Sequence, residues 1–457
     1  MPCRPLFLNF LFLLSISSVL GCSSSEATPA NSASAGSTPS DAAGAGGTGG
    51  TPVADTGGTG DTGGIAGTDT AGSTGGTDTL ADCVAGGAAP AAATPRAECS
   101  APAGYRNLFA DVLCKPTSEV QAKLTGIVQQ LFHGSGQDQA IYYELSANSS
   151  QAYIEDIASG DVRSEGQSYG MFIAVQMNMR TEFDKLWNYA KACMQQPSGV
   201  FAWQMNVDSC TPKSTGQAPD GDEYFAEALR LADRRWGSSG AIDYRSEALK
   251  IMAAVAAHDF NSNPAIVKFS QNSNFSDPSY VLPLFYTEWA CFDTANASLW
   301  RSAASYARSY FPKVFNASTG LAPYQSNFDG SAYAAGNTFN ADAWRVPMNI
   351  MSDFALNRAG SWQTGYATTN AAFWTSQGLD TYGGKYSLTG EAMDQYHGAG
   401  LTGVNAMLAF GLSPAQATPF LQAAWDQGAP TGQYRYYDGT LYMLSMLYLT
   451  GTINLFY

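Results

Sequence analysis

Arg163-Ser164-Glu165-Gly166-Gln167-Ser168-Tyr169-Gly170-Met171-Phe172-Ile173-Ala174-Val175 joins a polar, glycine-bearing entry to an apolar run. The entry reads as a helix mouth and places the Glu165 carboxyl there, facing a cleft. Ser164 with Gln167 three positions on has the form of a capping box, which makes Glu165 the first helical residue, where the helix dipole lowers its pKa. A general acid needs the opposite, so a catalytic Glu165 requires burial or a neighbouring carboxylate to outweigh the dipole. The other reading is a residue that merely complements the dipole of a first turn.

Two more acidic entries follow. Ala218-Pro219-Asp220-Gly221-Asp222-Glu223-Tyr224-Phe225 leads into helical spacing at Phe225, Ala228, Leu229 and Ala232, and Asn340-Ala341-Asp342-Ala343-Trp344-Arg345 leads into another helix. Singly, each Asp reads as a cap. Three acids at helix starts, with glycine or aromatic neighbours, exceed what capping explains in a chain with only 13% charged residues.

Further out, Val120, Leu124, Ile127, Val128 and Leu131 recur at helical spacing after Thr117. Comparable patterns begin near residues 165, 181, 222, 243, 279, 296, 342, 364, 398, 413 and 437, which predicts twelve helices in sequential hairpins. Strand signals are few and short, such as Gly199-Val200-Phe201-Ala202-Trp203. The expected class is all-α, and twelve helices in sequential hairpins are what six inner and six outer helices would need. A mouth formed where inner helices begin would gather acids remote in sequence. Asp353, about three turns beyond Asp342, reads as a supporting or structural acid.

Residues 1–22 read as an export signal ending in Val19-Leu20-Gly21-Cys22, with Cys22 as the lipidated residue; the apolar stretch is short for a spanning helix. By the usual bacterial sorting pattern, Ser23 after the cysteine favours the outer membrane, so an exported chain lipid-anchored at the cell surface is expected. Residues 23–102 are mostly Gly, Thr, Ala, Ser and Asp, without Phe, Tyr or Trp until the boundary, and read as a disordered tether on the order of 45 Å long. Residues 103–457 form the expected catalytic domain. Past the signal and Cys22, six cysteines remain; Cys193 with Cys210 is the preferred bridge across Phe201–Met205, and Cys83 with Cys99 could close a local loop. No metal-ligand spacing occurs and the three histidines are isolated, so neither metal nor other cofactor is expected. A net charge of −15 argues against nucleic acid and acidic substrates and suits a neutral polymer.

The segments SEGQSYGMFIAVQM, APDGDEYFAEAL, DPSYVLPLFY, DAWR and RYYDGTLYML, in this order, resemble glycoside hydrolase family 8, most closely its xylan-acting members, including reducing-end xylose-releasing exo-oligoxylanases. The resemblance covers about residues 104 to 457. It implies the (α/α)6 barrel and inverting hydrolysis of β-1,4-xylosidic bonds, with Glu165 as general acid, Asp342 as general base and Asp220 at the cleavage subsite. It also implies Tyr280 as a holder of the water and Arg345 as partner of the base.

Sugar rings present apolar faces, so Trp203, Trp344, Tyr436 and Tyr437 are candidates for the cleft wall, each with core packing as the competing role. His397, in Gln395-Tyr396-His397-Gly398, occupies the place of a Leu-His-Pro loop that closes the cleft in the exo-acting relatives. Here glycine replaces the proline, which predicts a more flexible loop. His397 as reducing-end contact and His397 as an unliganded helix-start residue both stand. The partner expected is a neutral β-linked oligosaccharide or polysaccharide, with membrane contact through the anchor alone and a monomeric chain. Glucan or chitosan as substrate, or a non-catalytic glycan-capturing lipoprotein, are the competing functions.

Overall fold

The computed structural model describes residues 94–135, 138–333 and 338–457. The expected signal, Cys22 and most of the tether lie outside the described residues. A short helix, α1 (Leu108–Leu113), is capped by the Asn107 side chain, which accepts from the Ala110 amide. Twelve longer helices follow in six successive pairs, α2 (Thr117–His133) then α3 (Ser164–Gln176), α4 (Arg180–Tyr189) then α5 (Pro219–Trp236), α6 (Tyr244–His258) then α7 (Pro283–Phe292), α8 (Ala297–Val314) then α9 (Arg345–Asn357), α10 (Trp362–Gln377) then α11 (Ala399–Ala406), and α12 (Pro414–Asp426) then α13 (Arg435–Leu449). The hairpins that pack run from one pair into the next, α3 with α4, α5 with α6, α7 with α8, α9 with α10 and α11 with α12, while α13 packs back on α2.

The second helix of each successive pair is inner and the first outer, because their apolar surfaces differ. Nearly every residue of α3, α11 and α13 is buried, and so is α5 from Pro219 to Ala232. A helix closed off on all sides belongs at the centre. The outer α2 instead buries Val120, Leu124, Ile127, Val128, Leu131 and Phe132 on one stripe. Helix α13 packs on α3, which closes the ring. All twelve expected helices are present, within a few residues of their expected starts.

Sequence reasoning overlooked the strands. Five pair antiparallel in the order β1 (Tyr142–Leu145), β2 (Asn148–Asp156), β3 (Asp161–Arg163), β4 (Gln204–Asn206) and β5 (Pro212–Ser214). The expected strand around Gly199–Trp203 is displaced into β4, leaving only an isolated bridge between Gln195 and Phe201. This sheet matters because β3 runs directly into α3 and aims its first turn.

Two expectations about the chain's start are corrected. Residues 94–102 are held on the barrel, not free as tether: Arg96 donates to Asn357 Oδ1 at 2.8 Å and pairs with Glu288. Cys99 bonds Cys291 and not Cys83, which staples this segment to α7. The Cys193–Cys210 bridge forms as expected.

Candidate active site

Glu165, Asp220, Asp342 and Arg345 meet at one mouth, each at or just before the start of an inner helix. None of the three acids caps its helix. The N-cap positions of α3 and α5 are Arg163 and Ala218, and the short 3-10 turn Asp342–Trp344 leads into α9 from Ala341; no side chain caps any of them. The capping explanation for these acids therefore falls. The capping box expected at Ser164 and Gln167 is absent as well. The Gln167 amide is drawn instead to the sheet and the neighbouring helix, accepting from Ile154 N at 3.0 Å and donating to the carbonyls of Ala152 and Leu186. Those buried backbone groups have no water to turn to, so they outcompete the helix end.

Local sterics let the helix starts touch. A side chain at Gly221 would put its Cβ 2.5 Å from Ser164 Oγ, so glycine there allows α5 to carry Asp220 alongside Glu165. At Gly166 a Cβ would lie 2.3 Å from the Tyr436 ring, so glycine admits that ring and its hydroxyl reaches the acid. Tyr436 donates to Glu165 Oε1 at 2.8 Å. Its ring is buried, so it is a clamp on the acid and offers no face to a sugar.

Arg345 sits at the centre. Its Nη1 donates to Glu165 Oε2 at 2.7 Å, to Tyr169 Oη at 2.9 Å and to Asp220 Oδ2. Its Nη2 donates to Ser279 Oγ at 2.9 Å and to Asp342 Oδ1 at 3.4 Å. The expected pairing with Asp342 is thus the longest of three. One cation faces three carboxylates, and charge is left uncompensated. Burial, reinforced by Asp220 and Asp342 against the opposing pull of Arg345, lifts Glu165 to about 7. This is the environment that the dipole argument required. Asp342 is also raised, by desolvation and then by Asp220, with Arg345 opposing. Its side chain remains 42% exposed to the cleft, against 13% for Glu165.

Tyr280 lies in the 3-10 turn Pro278–Tyr280 ahead of α7, with its ring under the Arg345 guanidinium at 5.4 Å and stacked on Phe269. Asp277 caps that turn through Ser279 N at 2.8 Å, and burial and Asp342 push its carboxyl well above the usual range. Ser279, Asp277 and Tyr169 escaped sequence reading, since an isolated Ser, Asp or Tyr carries no spacing signal. Trp203 stands half-buried beside the mouth with Arg163 over its ring, and its carbonyl accepts from Ser164 N at 2.9 Å.

Trp344 is buried, its indole donating to Gly384 O at 2.7 Å, between Tyr437 and Tyr396. Tyr437 is half-buried and donates to Ala341 O at 2.6 Å, next to Asp342. His397 makes no bond to the acids; its Nδ1 lies 3.0 Å from Tyr382 O and its Nε2 3.4 Å from Thr402 Oγ1. Gly398 itself sits in a close-packed place. It is extended and packed so tightly that a Cβ would meet Asp438 Oδ1 at 2.8 Å and the Trp344 ring at 2.9 Å. Asp353 proves structural, with Arg308 donating to both its oxygens.

Residues 149–451 match the family model described as glycosyl hydrolases family 8. The chain is 34% identical over 373 residues to a reducing-end xylose-releasing exo-oligoxylanase of Paenibacillus barcinonensis, covering 77% of this chain and 97% of that one. It is 33% identical over 378 residues to a reducing end xylose-releasing exo-oligoxylanase of Halalkalibacterium halodurans, covering 77% and 95%. A xylanase from Teredinibacter turnerae, solved as a catalytic mutant with xylohexaose, superposes with a TM-score of 0.72 at 36% identity, covering 77% of this chain and 98% of that chain.

Proposed function

Because the chain belongs to glycoside hydrolase family 8, we propose that it hydrolyses β-1,4-xylosidic bonds in xylo-oligosaccharides or xylan with inversion at the anomeric carbon. The observation that carries the residue assignment is the crowding of three carboxylates on one guanidinium, with Glu165 held near neutrality. A protonated Glu165 donates its proton to the leaving glycosidic oxygen as the C–O bond breaks. Ionised Asp342 takes a proton from a water, whose oxygen bonds to the anomeric carbon from the opposite face. Glu165 and Asp342 engage different nitrogens of Arg345, and the inverting reading needs room for a substrate and a water between the two carboxyls. Asp220, beside Glu165 on the same nitrogen, supplies negative charge to the oxocarbenium-like transition state and keeps the acid protonated. Tyr280 holds the water against the base. Trp203, Trp344, Tyr437 and His397 line or support the sugar path.

A glycan-capturing protein would need aromatic surface but no unbalanced carboxylates, so the geometry speaks for catalysis. Proton NMR of early turnover tests the chemistry: the first product from a β-linked substrate should be the α-anomer, and a β-anomer sinks the inverting assignment. Xylotetraose, cellotetraose and chitosan oligomers compared side by side test the sugar, with xylotetraose expected to turn over fastest. Reducing-end-labelled xylotetraose then separates the modes of attack: labelled xylose alone marks exo action through a loop closed at His397, and labelled xylobiose marks endo action. For location, we propose anchoring through a lipidated Cys22; Cys22→Ala should release the enzyme from membranes at unchanged specific activity, and continued membrane fractionation overturns the anchor.

A further inference from the structure

Among the described residues four large apolar side chains are exposed, and two of them are in ring contact beside the mouth: Tyr396 at 39% and Tyr434 at 49%. A third, Met393 at 50%, lies three residues before Tyr396 on the same segment. Solitary exposed aromatics are ordinary on protein surfaces, but contiguous ones mark binding faces. These rings form a series. Trp344 stacks on Tyr396 with centroids 6.4 Å apart and planes within 10°, and Tyr396 meets Tyr434 edge to face at 5.3 Å. The series starts between Asp342 and Arg345 and runs outward to solvent.

The Tyr396 ring is also fixed in place, and the backbone that carries Tyr434 is held. The Tyr396 hydroxyl donates to Asp438 Oδ2, and Asp438 Oδ1 accepts from Gly400 N at 2.9 Å, which ties the ring to the starts of both α11 and α13. Tyr434 occupies the N-cap position of α13, and its carbonyl accepts from the Asp438 amide at 3.3 Å. A rigid aromatic loses little conformational freedom when a ligand covers it, which favours binding by the exposed face. Buried Trp344 gives the series its inner end; Tyr396 and Tyr434 offer the open faces.

We propose that Tyr396 and Tyr434 form an outer sugar-binding shelf that takes the apolar ring faces of a β-linked pyranose chain continuing out of the cleft past Trp344. The proposal rests on the glycosidase reading above and adds a site outside the reacting centre. Because stacking reads the ring face, the shelf distinguishes chain length and is indifferent to the substituent at C5. It follows that long oligosaccharides gain from the shelf and the shortest ones do not reach it.

The test compares xylohexaose with xylotriose for wild-type enzyme, Tyr434→Ala and Tyr434→Phe. Tyr434 is exposed and outside the acid cluster, so its truncation should leave folding intact, which a thermal melt checks. Expected for Tyr434→Ala is a roughly three- to tenfold fall in kcat/KM on xylohexaose, carried by KM, with xylotriose unchanged. Tyr434→Phe, which keeps the ring, should behave as wild type. Equal effects on both lengths, no effect on either, or a loss confined to kcat overturns the shelf. If wild-type enzyme leaves xylo-oligosaccharides intact, the sugar assignment fails by itself; the same comparison with cellohexaose and cellotriose then decides the shelf.

Discussion

Helix α9 carries an arginine or an acid of opposite character at each end. At its start Arg345 faces three carboxylates, Glu165, Asp220 and Asp342. Near its end Asp353 is met by Arg308 through both oxygens and by the side-chain amides of Asn357 at 2.7 Å and Gln363 at 3.1 Å. Both clusters are largely buried and hydrogen-bonded. They differ in balance: the second is one acid with one cation and two neutral donors, whereas the first leaves negative charge without a counterion. Burial of an unbalanced cluster is unfavourable, and the raised Glu165 records it. Such a cluster is explained by chemistry, the balanced one by stability.

The comparison breaks most visibly at Glu165. Glu165→Ala should lower turnover of natural oligosaccharides on the order of 10³- to 10⁴-fold, yet retain far more activity on a glycosyl fluoride, whose leaving group needs no proton. Equal losses on both would remove Glu165 from the acid role. Asp342→Asn comes next, with a loss of at least about a hundredfold in kcat and little change in substrate binding. Near wild-type turnover in that variant would assign the base elsewhere.

The other end of α9 should respond in the opposite way. Asp353→Ala strands Arg308 and two amides, and chemical denaturation should register a loss of roughly 2 to 3 kcal/mol. Below its melting range the variant should keep the wild-type pH profile and KM; a displaced profile would show that the two clusters are coupled.

The smallest effect sharpens the balance argument. In the proposed acid role Glu165 acts in its protonated form, so kcat/KM should fall on the alkaline side with a midpoint near the value of about 7 that burial and the neighbouring acids produce. Tyr436 donates to the carboxylate and thereby favours its charged form. Tyr436→Phe removes that donor, so the Glu165 pKa should rise and the alkaline limb move to higher pH by less than about one unit. A limb that moves to lower pH would reverse the assigned role of the hydroxyl.

Much of this was legible in the chain. The twelve helices showed because apolar residues at helical spacing persist over many turns, and the three acids showed because each stands in a polar entry ahead of such a run. What escaped were short elements and lone residues. Helix α1 is six residues long, too short for periodicity to register, and β1 to β5 are mostly three or four residues each, too short for alternation to show, with β3 completed only by the distant β4. Ser279, Tyr169 and Asp277 bear on the site only because Arg345 or Asp342 arrives beside them.

By itself the sequence determined the helices and the acids at their starts, since these depend on residue type and local spacing; the barrel followed from the resemblance to family 8, and the Cys193–Cys210 bridge stood as the preferred pairing. The tertiary structure alone decided where the Ser164–Gln167 pair bonds, that Arg345 is shared among three acids, that Gly398 packs tightly, and that Cys99 pairs across 192 positions with Cys291. Those outcomes depend on which groups, distant in the chain, compete for the same buried space. Spacing along one segment does not register that competition, because the desolvation and charge that settle it come from the other helices.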